Sequence, residues 1–410
     1  VVTSASSSLL ALYTRYVGHS QVPASYHLWA FLTALAACVA DRVWVAKHAG
    51  AKLTPNLYVV LTGPSGNGKG IAAGEAVELV REFPGVNAFV GEASIEFLLH
   101  WLAREPRGGV EPSKAFLVMT ELGSSLGVGD SAKSFVKHLT DLYEGKPVHQ
   151  RGTIAHGLHT LKSACVTWLG CSTLEWFTDS IAIRDLKAGF SRTVMVYEDR
   201  VPVRVTRPEY PADRDALRDE IRGRLADVHA KSAGEVRLAA DAEARHDTWY
   251  QTRPAPEDHD LVPAWQRGDD LWYKLAMLAA LAERHDGGVI EMRHAVLAQS
   301  LVDWLVYTEG PRLFARMSGG TMTEPVQAVA RKLREAGGRV SLEALHAWGL
   351  SNNVTSHMMR EALANLQAAQ MITVRGEDGT TWYQWMEREG MRYGMAGLVD
   401  VDDEEDDDND

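Results

Sequence analysis

The most informative segment of this 410-residue chain reads Asn56-Leu-Tyr-Val-Val-Leu-Thr-Gly-Pro-Ser-Gly-Asn-Gly-Lys-Gly70. Its apolar half predicts a buried strand over Leu57–Thr62, and Gly63–Lys69 follows at once with the spacing G-x-x-x-x-G-K. The next residues predict an amphipathic helix over Ile71–Glu82. Glycines in such a loop let backbone N–H groups point inward at phosphate oxygens, and the helix adds its positive dipole end. The order strand, glycine-rich loop, helix therefore predicts a phosphate-binding loop.

Apolar strands continue to alternate with helices as far as residue 200. Further strands are predicted over Asn87–Val90, Ala115–Thr120, Ser163–Leu169 and Thr193–Tyr197, and helices over Ser94–Arg104, Ser134–Tyr143 and near Leu174–Ser180. Continuous apolar strands separated by helices are typical of a parallel sheet covered on both faces. The predicted fold class is therefore α/β, with a P-loop NTPase core in residues 51–200.

A carboxylate follows the strand Ala115–Thr120. In phosphoryl transfer a positioned carboxylate activates the attacking water, so Glu121 is the candidate catalytic base. A surface glutamate at a strand end would have the same sequence context. Gly70 stands where a Ser or Thr hydroxyl normally binds Mg²⁺, and Thr120 stands where an Asp is usual. Thr120 and Glu121 are then the candidate Mg²⁺ ligands, and either the metal is held differently or hydrolysis is weak.

Two more strand ends carry candidate catalytic residues. Thr173, or its neighbour Ser172, follows the strand Ser163–Leu169 and is expected either to orient the attacking water or to cap the next helix. Arg192 precedes the strand Thr193–Tyr197, the position of an arginine finger that acts across a subunit interface, or of a surface arginine.

The predicted cofactors are ATP and Mg²⁺. Lys69 is expected to reach the β- and γ-phosphates. The catalytic candidates are Lys69, Glu121, Thr173 and Arg192. The residues predicted to bind the nucleotide are Gly63, Pro64, Ser65, Gly66, Asn67, Gly68, Lys69, Gly70, Ile71 and Thr120.

Three stretches carry a resemblance to a known family: Asn56 to Lys69, Thr120-Glu-Leu-Gly-Ser-Ser-Leu126 and Ala188-Gly-Phe-Ser-Arg192. Over roughly residues 25–310 the chain resembles phage- and plasmid-encoded P-loop ATPases described as replicative helicases, akin to superfamily 3 and other AAA+ proteins. The resemblance implies an ASCE ATPase core, a helical lid in residues 270–310 and assembly into a homo-oligomeric ring, expected to be a hexamer. Gly70 and Thr120 depart from the family pattern.

A basic segment lies between the acidic strand and the strand Ser163–Leu169. In helicases that the chain resembles, a hairpin at this point grips phosphates in the ring channel, which suits a sequence-independent contact with single-stranded DNA. The candidate DNA-binding residues are Lys146, His149, Arg151, His156, His159 and Lys162. A solvated loop is the competing interpretation, and the histidines lack a recognisable zinc spacing.

Four other regions complete the predicted organisation. Residues 1–50 read as an N-terminal helical region, 201–316 as a linker and helical lid, 324–386 as a winged-helix-like domain, and 387–410 as an acidic disordered tail. The predicted recognition helix of this domain is Val354–Ala369, which carries only His357, Arg360 and Glu361 as charged or titratable groups. Winged helices bind either DNA or proteins, and both remain open.

Charge and composition set limits on partners. The formal charge is −12, but nine acids lie in residues 400–410, so the remainder is close to neutral and does not exclude nucleic acid. The tail or the winged helix could also dock a replication protein. Three cysteines without paired spacing and no long apolar run indicate a cytoplasmic protein with no membrane partner.

Overall fold

The structure is a computed structural model of the chain. It describes residues 8–18, 20–47, 51–81, 83, 85–104, 113–123, 130–145, 148–153, 157–174, 176, 191–199, 205–256, 258–283, 288–318, 324–336, 339–352, 354–368, 372–377 and 380–385. The chain divides into two compact units between Val306 and Tyr307. The predicted acidic tail, residues 387–410, lies outside the described residues.

The first unit contains a five-stranded, all-parallel sheet. Its core strands, named first to fifth in chain order, are Tyr58–Thr62, Asn87–Val90, Lys114–Met119, Cys165–Ser172 and Val194–Tyr197. Across the sheet the order is second, third, fourth, first, fifth. Every side chain of the first core strand is buried, as expected for a parallel sheet covered on both faces. The predicted α/β class and the parallel sheet are therefore confirmed.

The strand register brings all the carboxyl ends to one side of the sheet. Thr62 lies beside Ser172 in one neighbour and beside Tyr197 in the other. Met119 lies beside Gly170, two residues before that end. We call this side the carboxyl edge and the opposite side the amino edge. Loops at the carboxyl edge of an open parallel sheet are the usual place for a ligand.

Helices cover both faces of the sheet and extend the first unit. They are Leu9–Val17, Ala24–Val39, Lys69–Val80, Ile95–Leu102, Asp130–Tyr143, Arg214–Lys231, Ala240–Thr252, Val262–Glu283 and Met292–Trp304, with a 3-10 turn at His259–Leu261. The helix Ala24–Val39 is almost entirely buried, because it packs against both the sheet and the helix Lys69–Val80. This contact explains why its sequence is apolar on all sides.

Shorter strands join the outer parts of the first unit. They are Val43–Ala46, Lys52–Leu53, Val148–Thr153, Gly157–Lys162, Gly234–Glu235, Arg237–Leu238 and Val289–Ile290. Ahead of the predicted lid, in the region expected to be a linker, the structure contains the helix Ala240–Thr252. That helix buries only Ala242, His246 and Trp249, a stripe too sparse in aliphatic residues to stand out in a charged sequence.

The second unit begins within a π-helical turn, Leu305–Glu309. Its helices are Gly310–Ser318, Glu324–Glu335, Leu342–Ser351 and Ser356–Ala368. A three-stranded antiparallel sheet follows, in the order Arg339–Ser341, Thr380–Trp385, Ile372–Glu377. Residues 324–386 thus contain three helices, a hairpin and one further strand at 339–341. The core of this unit includes Val329, Leu333 and Leu366.

Within the described residues, no helix is both long enough and apolar enough to cross a membrane.

Candidate nucleotide-binding site

The glycine-rich loop leaves the first core strand at the carboxyl edge. Gly66 and Gly68 have φ angles of 80° and 83°, in the left-handed region that favours glycine. Gly68 also caps the helix Lys69–Val80, and a Cβ atom there would lie 2.8 Å from Cγ2 of Val22. Any larger residue at position 68 would therefore strain the backbone and collide with the segment that precedes the helix Ala24–Val39.

Lys69 holds a positive charge inside the loop. Its side chain is 9% exposed, and Nζ donates hydrogen bonds of 2.7 Å to the carbonyl oxygens of Gly63 and Pro64. The ammonium group of Lys69 thus lies near the start of the helix, and the charge and the helix dipole both favour a bound anion there. This geometry fits the triphosphate of ATP.

The loop is also held by a network of hydrogen bonds that the sequence does not predict, called the brace below. Asn67 Nδ2 donates to the carbonyl oxygen of Glu198 over 2.8 Å and to the Tyr26 hydroxyl over 3.4 Å. The Tyr26 hydroxyl donates to the carbonyl oxygen of Thr62 over 2.5 Å, and Ser25 donates to the Glu198 carboxylate over 2.6 Å. The brace joins the helix Ala24–Val39, the loop and the end of the fifth core strand.

The brace also explains why the loop starts with a glycine. A Cβ atom at Gly63 would lie 2.3 Å from the carbonyl oxygen of Glu198 and 2.5 Å from the Tyr26 hydroxyl. Burial raises the pKa of Tyr26 far above its ordinary value, so its hydroxyl stays protonated and able to donate. The loop is therefore fixed by contacts as well as by its own backbone.

Gly70 and Ile71 form the exposed first turn of the helix that follows the loop. A Cβ atom at Gly70 would have no neighbouring atom within 4 Å. Packing therefore does not require glycine at this position, and a serine hydroxyl would fit there.

Thr120 and Glu121 follow the third core strand, which is buried through Met119, and both are exposed. Leu122 packs closely against the fourth core strand. The Cδ1 atom of Leu122 would lie only 2.8 Å from a Cβ atom added at Gly170. One strand separates Glu121 from the phosphate loop, so the two are roughly 10 Å apart across the sheet, given the usual spacing between strands. That separation leaves room for a phosphoryl group and a water molecule.

Ser172 and Thr173 lie between the loop and Glu121. The backbone N–H of Gly63 donates to the carbonyl oxygen of Ser172 over 3.3 Å, which joins the fourth core strand to the start of the loop. The Ser172 hydroxyl donates to the carbonyl oxygen of Thr173 over 3.1 Å and is buried. The partly exposed Thr173 is therefore better placed than Ser172 to meet a ligand.

Arg192 lies at the other side of the sheet. It precedes Val194, which pairs with Val59 near the amino edge. Its guanidinium contacts Oε1 of Glu144, over 2.7 Å from Nε and 2.6 Å from the terminal nitrogen, and Arg267 contacts the same oxygen over 3.3 Å. Arg192 therefore cannot act on the phosphate loop of its own chain, and contact with a nucleotide would require a neighbouring copy.

The basic segment does form a hairpin, from the antiparallel strands Val148–Thr153 and Gly157–Lys162. One of its faces is directed inward. His149 is buried with its ring 5.8 Å from that of His138, Arg151 forms a 3.0 Å ion pair with Glu96, and the His159 ring lies 5.5 Å from that of His100.

The exposed face of the hairpin is less basic than its sequence indicates. Its register places Val148, Gln150, Leu158, Thr160 and Lys162 on that face. Val148 and Leu158 are strongly exposed apolar side chains, and Lys162 is the cation among them. Lys146 and His156, the other two DNA-binding candidates, lie outside the described residues.

The predicted lid includes the helix Val262–Glu283, whose Lys274 is almost fully buried. Its Nζ donates to the carbonyl oxygens of Thr54 and Asn56, each over 2.9 Å, and to the Asn56 side chain over 2.5 Å. Burial lowers the pKa of Lys274 to about 7. Because Thr54 and Asn56 precede the first core strand, this contact lies at the amino edge, and a lid over the nucleotide stays a prediction.

The donors present are a poor match for a metal site made by protein alone. Within the described residues, no group of three His, Cys, Asp or Glu side chains could hold a metal ion. The candidates Thr120 and Glu121 supply one hydroxyl and one carboxylate. Mg²⁺ normally keeps several waters and binds through one or two carboxylates plus substrate phosphates, so these residues fit a metal brought by the nucleotide.

No protein-family model matches the chain, and no curated protein matches it significantly.

Proposed function

We propose that the chain is an ATPase that assembles into a ring and moves along DNA, as a helicase or translocase of a phage or mobile element. The observation that carries this proposal is the loop Gly63–Lys69, with Lys69 held inside it at the start of a helix and the carboxyl ends of the parallel strands around it. A buried ammonium group and a helix start together favour a triphosphate.

The strand order supports the ASCE part of the proposal. The fourth core strand lies between the loop strand and the strand that ends before Glu121. An inserted strand at that place, with a catalytic glutamate beyond it, is what the ASCE class of P-loop ATPases is expected to have. Thr173 then lies between the phosphates and the base, where it could orient the water.

The proposed reaction assigns a role to each candidate. Lys69 binds the β- and γ-phosphates, Glu121 accepts a proton from the attacking water, and Thr173 orients that water. Arg192 from a neighbouring copy would stabilise charge as the phosphoryl group transfers. Mg²⁺ bound with the nucleotide would neutralise phosphate charge, with Thr120 and Glu121 as the candidate protein donors that would hold it.

The DNA part of the proposal rests on the hairpin Val148–Lys162 and on the resemblance. Single-stranded DNA would pass the exposed hairpin face in the centre of a ring, expected to be hexameric. The second unit, with the element order of a winged helix, would contact DNA or a replication protein in the cytoplasm. The acidic tail would repel phosphate and would instead dock a replication protein.

A second candidate function is a nucleotide-binding replication loader, scaffold or regulator with weak hydrolysis. Two observations favour it: Gly70 offers no hydroxyl although one would fit, and Thr120 offers no carboxylate. Both positions are those from which a motor ATPase normally controls its metal.

DNA-stimulated ATP turnover separates the two candidates. For a motor we expect purified protein to hydrolyse ATP faster when single-stranded oligonucleotide is added, and to form closed rings in electron micrographs with an ATP analogue. Nucleotide binding without stimulation and without rings would contradict the motor and favour the scaffold. Absence of nucleotide binding would contradict both.

A further inference from the structure

The three-stranded sheet of the second unit has one face turned toward the core of that unit and one turned away. On the inward face, Ile372, Tyr383 and Trp385 pack with the apolar core. Because side chains alternate along a strand, the residues between them lie on the outer face. The strand register places Arg339, Ser341, Thr373, Arg375, Trp382 and Gln384 there.

An aromatic ring lies at the centre of this outer face. Trp382 is on the middle strand, directly opposite Arg375 on one neighbouring strand and Ser341 on the other. The guanidinium of Arg339 lies 5.7 Å from the centre of the Trp382 ring, within the range of a cation–π contact. Arg339 and Arg375 are exposed, and Trp382 is partly exposed. Two cations therefore flank one accessible ring.

The rest of the face is polar. Ser341, Thr373 and Gln384 surround the ring, so the side chains described on the outer face form no apolar patch like the centre of a protein–protein interface. Where side chains of this face are described, its charges are the two arginines. A flat ring between cations on a polar sheet is suited to a nucleobase with its phosphates.

The helix expected to read DNA offers much less. On Ser356–Ala368 the exposed charged or titratable residues are His357, Arg360 and Glu361. At neutral pH the charges of Arg360 and Glu361 cancel, so this helix adds little to an electrostatic attraction for phosphate. Of these two surfaces, the outer face of the sheet is the more cationic.

We propose that the outer face of this sheet binds single-stranded nucleic acid, with one base stacked on Trp382 and neighbouring phosphates on Arg339 and Arg375. The inference rests on the proposed function only for the premise that the chain meets single-stranded DNA. An unpaired base is required, because the ring can stack only on a base face that a duplex does not expose. In the sequence, two acids follow closely after Arg375, Glu377 at the end of its strand and Asp378 next, so we expect the nucleic acid to run over the half of the face that holds Arg339.

Photo-crosslinking with the full-length chain tests this assignment at the residue itself. The probe is an oligo(dT) 20-mer with one thymine replaced by 5-iodouracil, used without nucleotide. We expect a crosslink on the peptide that contains Trp382, and we expect it to be lost in Trp382→Ala. Crosslinks that form only in the first unit, or only on the helix Ser356–Ala368, would overturn the proposal.

Affinity measurements supply matched controls. In fluorescence anisotropy with labelled oligo(dT), Trp382→Ala should weaken binding about tenfold, the effect expected for loss of one base–aromatic stack. Trp382→Phe keeps a ring and should retain most of the affinity. Gln384→Ala on the same face and the exposed Tyr250→Ala in the first unit should change little. A loss as large in Gln384→Ala as in Trp382→Ala would indicate damage to the sheet and contradict the stacking role.

The contribution of the arginines is measured separately, from the salt dependence of DNA binding. Arg375→Ala should lower the slope of log affinity against log salt by about 0.7, the value for one phosphate contact on a single strand, whereas Arg360→Ala should leave it unchanged. If Arg360→Ala changes the slope and Arg375→Ala does not, the helix is the contact surface. DNA-stimulated ATP turnover without a Trp382 crosslink would contradict this inference alone. A Trp382 crosslink without stimulated turnover would contradict only the motor.

Discussion

The phosphate loop and the basic hairpin are both assigned functions from their residue types, but their charged side chains are positioned in different ways. In the loop, the adjacent strand, two left-handed glycines and the helix start determine the place of Lys69. In the hairpin, Arg151 and His149 are directed to partners on two helices that the hairpin sequence does not reveal.

The difference comes from where the determining contacts lie. Part of the conformation of the loop follows from residues within the segment itself, since glycine is needed where φ is positive, and contacts with Tyr26 and Glu198 add to it. The orientation of a hairpin side chain depends on which of its two faces meets the body of the protein, and alternation along the strand allows either. A motif with backbone constraints therefore predicts the orientation of a side chain better than a list of charged residues does.

The most severe test of the loop is Lys69→Ala. Removing the ammonium group from inside the loop should weaken ATP binding by at least about 100-fold, roughly 3 kcal/mol, since a hydrogen bond to a charged group contributes about 1.5–3 kcal/mol and Lys69 would contact two phosphates. Titration with a fluorescent ATP analogue measures this. Lys162→Ala, which removes an exposed lysine from the hairpin, is the charge-matched control and should bind ATP normally. Unchanged affinity in Lys69→Ala would remove the basis of the proposed function.

Acid should destabilise the brace behind the loop more than the hairpin. Burial lowers the pKa of His27, which follows Tyr26 on the bracing helix, to about 4. Because the folded pKa lies below the unfolded value of about 6.5, the neutral His27 contributes stability above pH 6.5. That contribution is lost as the pH falls from about 6.5 to 4, and it amounts to on the order of 3 kcal/mol. Below pH 4 no further loss from His27 is expected.

Denaturant unfolding at several pH values checks this prediction. Burial also lowers the pKa of His138, which packs against the hairpin, to about 4, but this group is only about half buried. His27→Phe should therefore flatten the pH dependence of the free energy of unfolding between pH 4 and 6.5 more than His138→Gln does. A larger effect from His138→Gln would reverse the comparison.

The sequence predicted elements well where a pattern is local and long. The first core strand was predicted over Leu57–Thr62 and runs over Tyr58–Thr62, and the second was predicted with its observed ends. The brace could not be predicted, because Tyr26 and Thr62 are 36 residues apart and nothing in either segment indicates the contact. The amino-edge position of Arg192 was implied by its place before a strand, but its pairing with Glu144 was not.

Substitution of Gly70 tests whether the missing hydroxyl at this position limits ATP hydrolysis. A Cβ atom there meets no neighbour within 4 Å, so Gly70→Ser should fold normally and gain a few tenths of a kcal/mol or more from better helix propensity. The added hydroxyl would lie where P-loop ATPases bind Mg²⁺, and we expect about a tenfold rise in Mg²⁺-dependent turnover, equivalent to about 1.4 kcal/mol. Gly70→Ala also replaces glycine with a better helix former, but it lacks the hydroxyl and should not show the rise. Equal rates in both variants would mean that the metal is already held by other groups.

The smallest expected effect concerns the hairpin and decides whether its exposed face touches DNA. Lys162 lies on that face, whereas Arg151 is paired with Glu96 on the other. Lys162→Ala should weaken binding of single-stranded DNA about twofold to threefold at moderate salt and lower the salt slope by about 0.7, since one phosphate contact is lost. Arg151→Ala should leave DNA affinity unchanged and instead lower thermal stability slightly, by up to about 1 kcal/mol for a partly exposed ion pair. If Arg151→Ala lowers the salt slope and Lys162→Ala does not, the hairpin must turn its inward face to DNA, and the contacts of His149 and Arg151 would have to break when DNA binds.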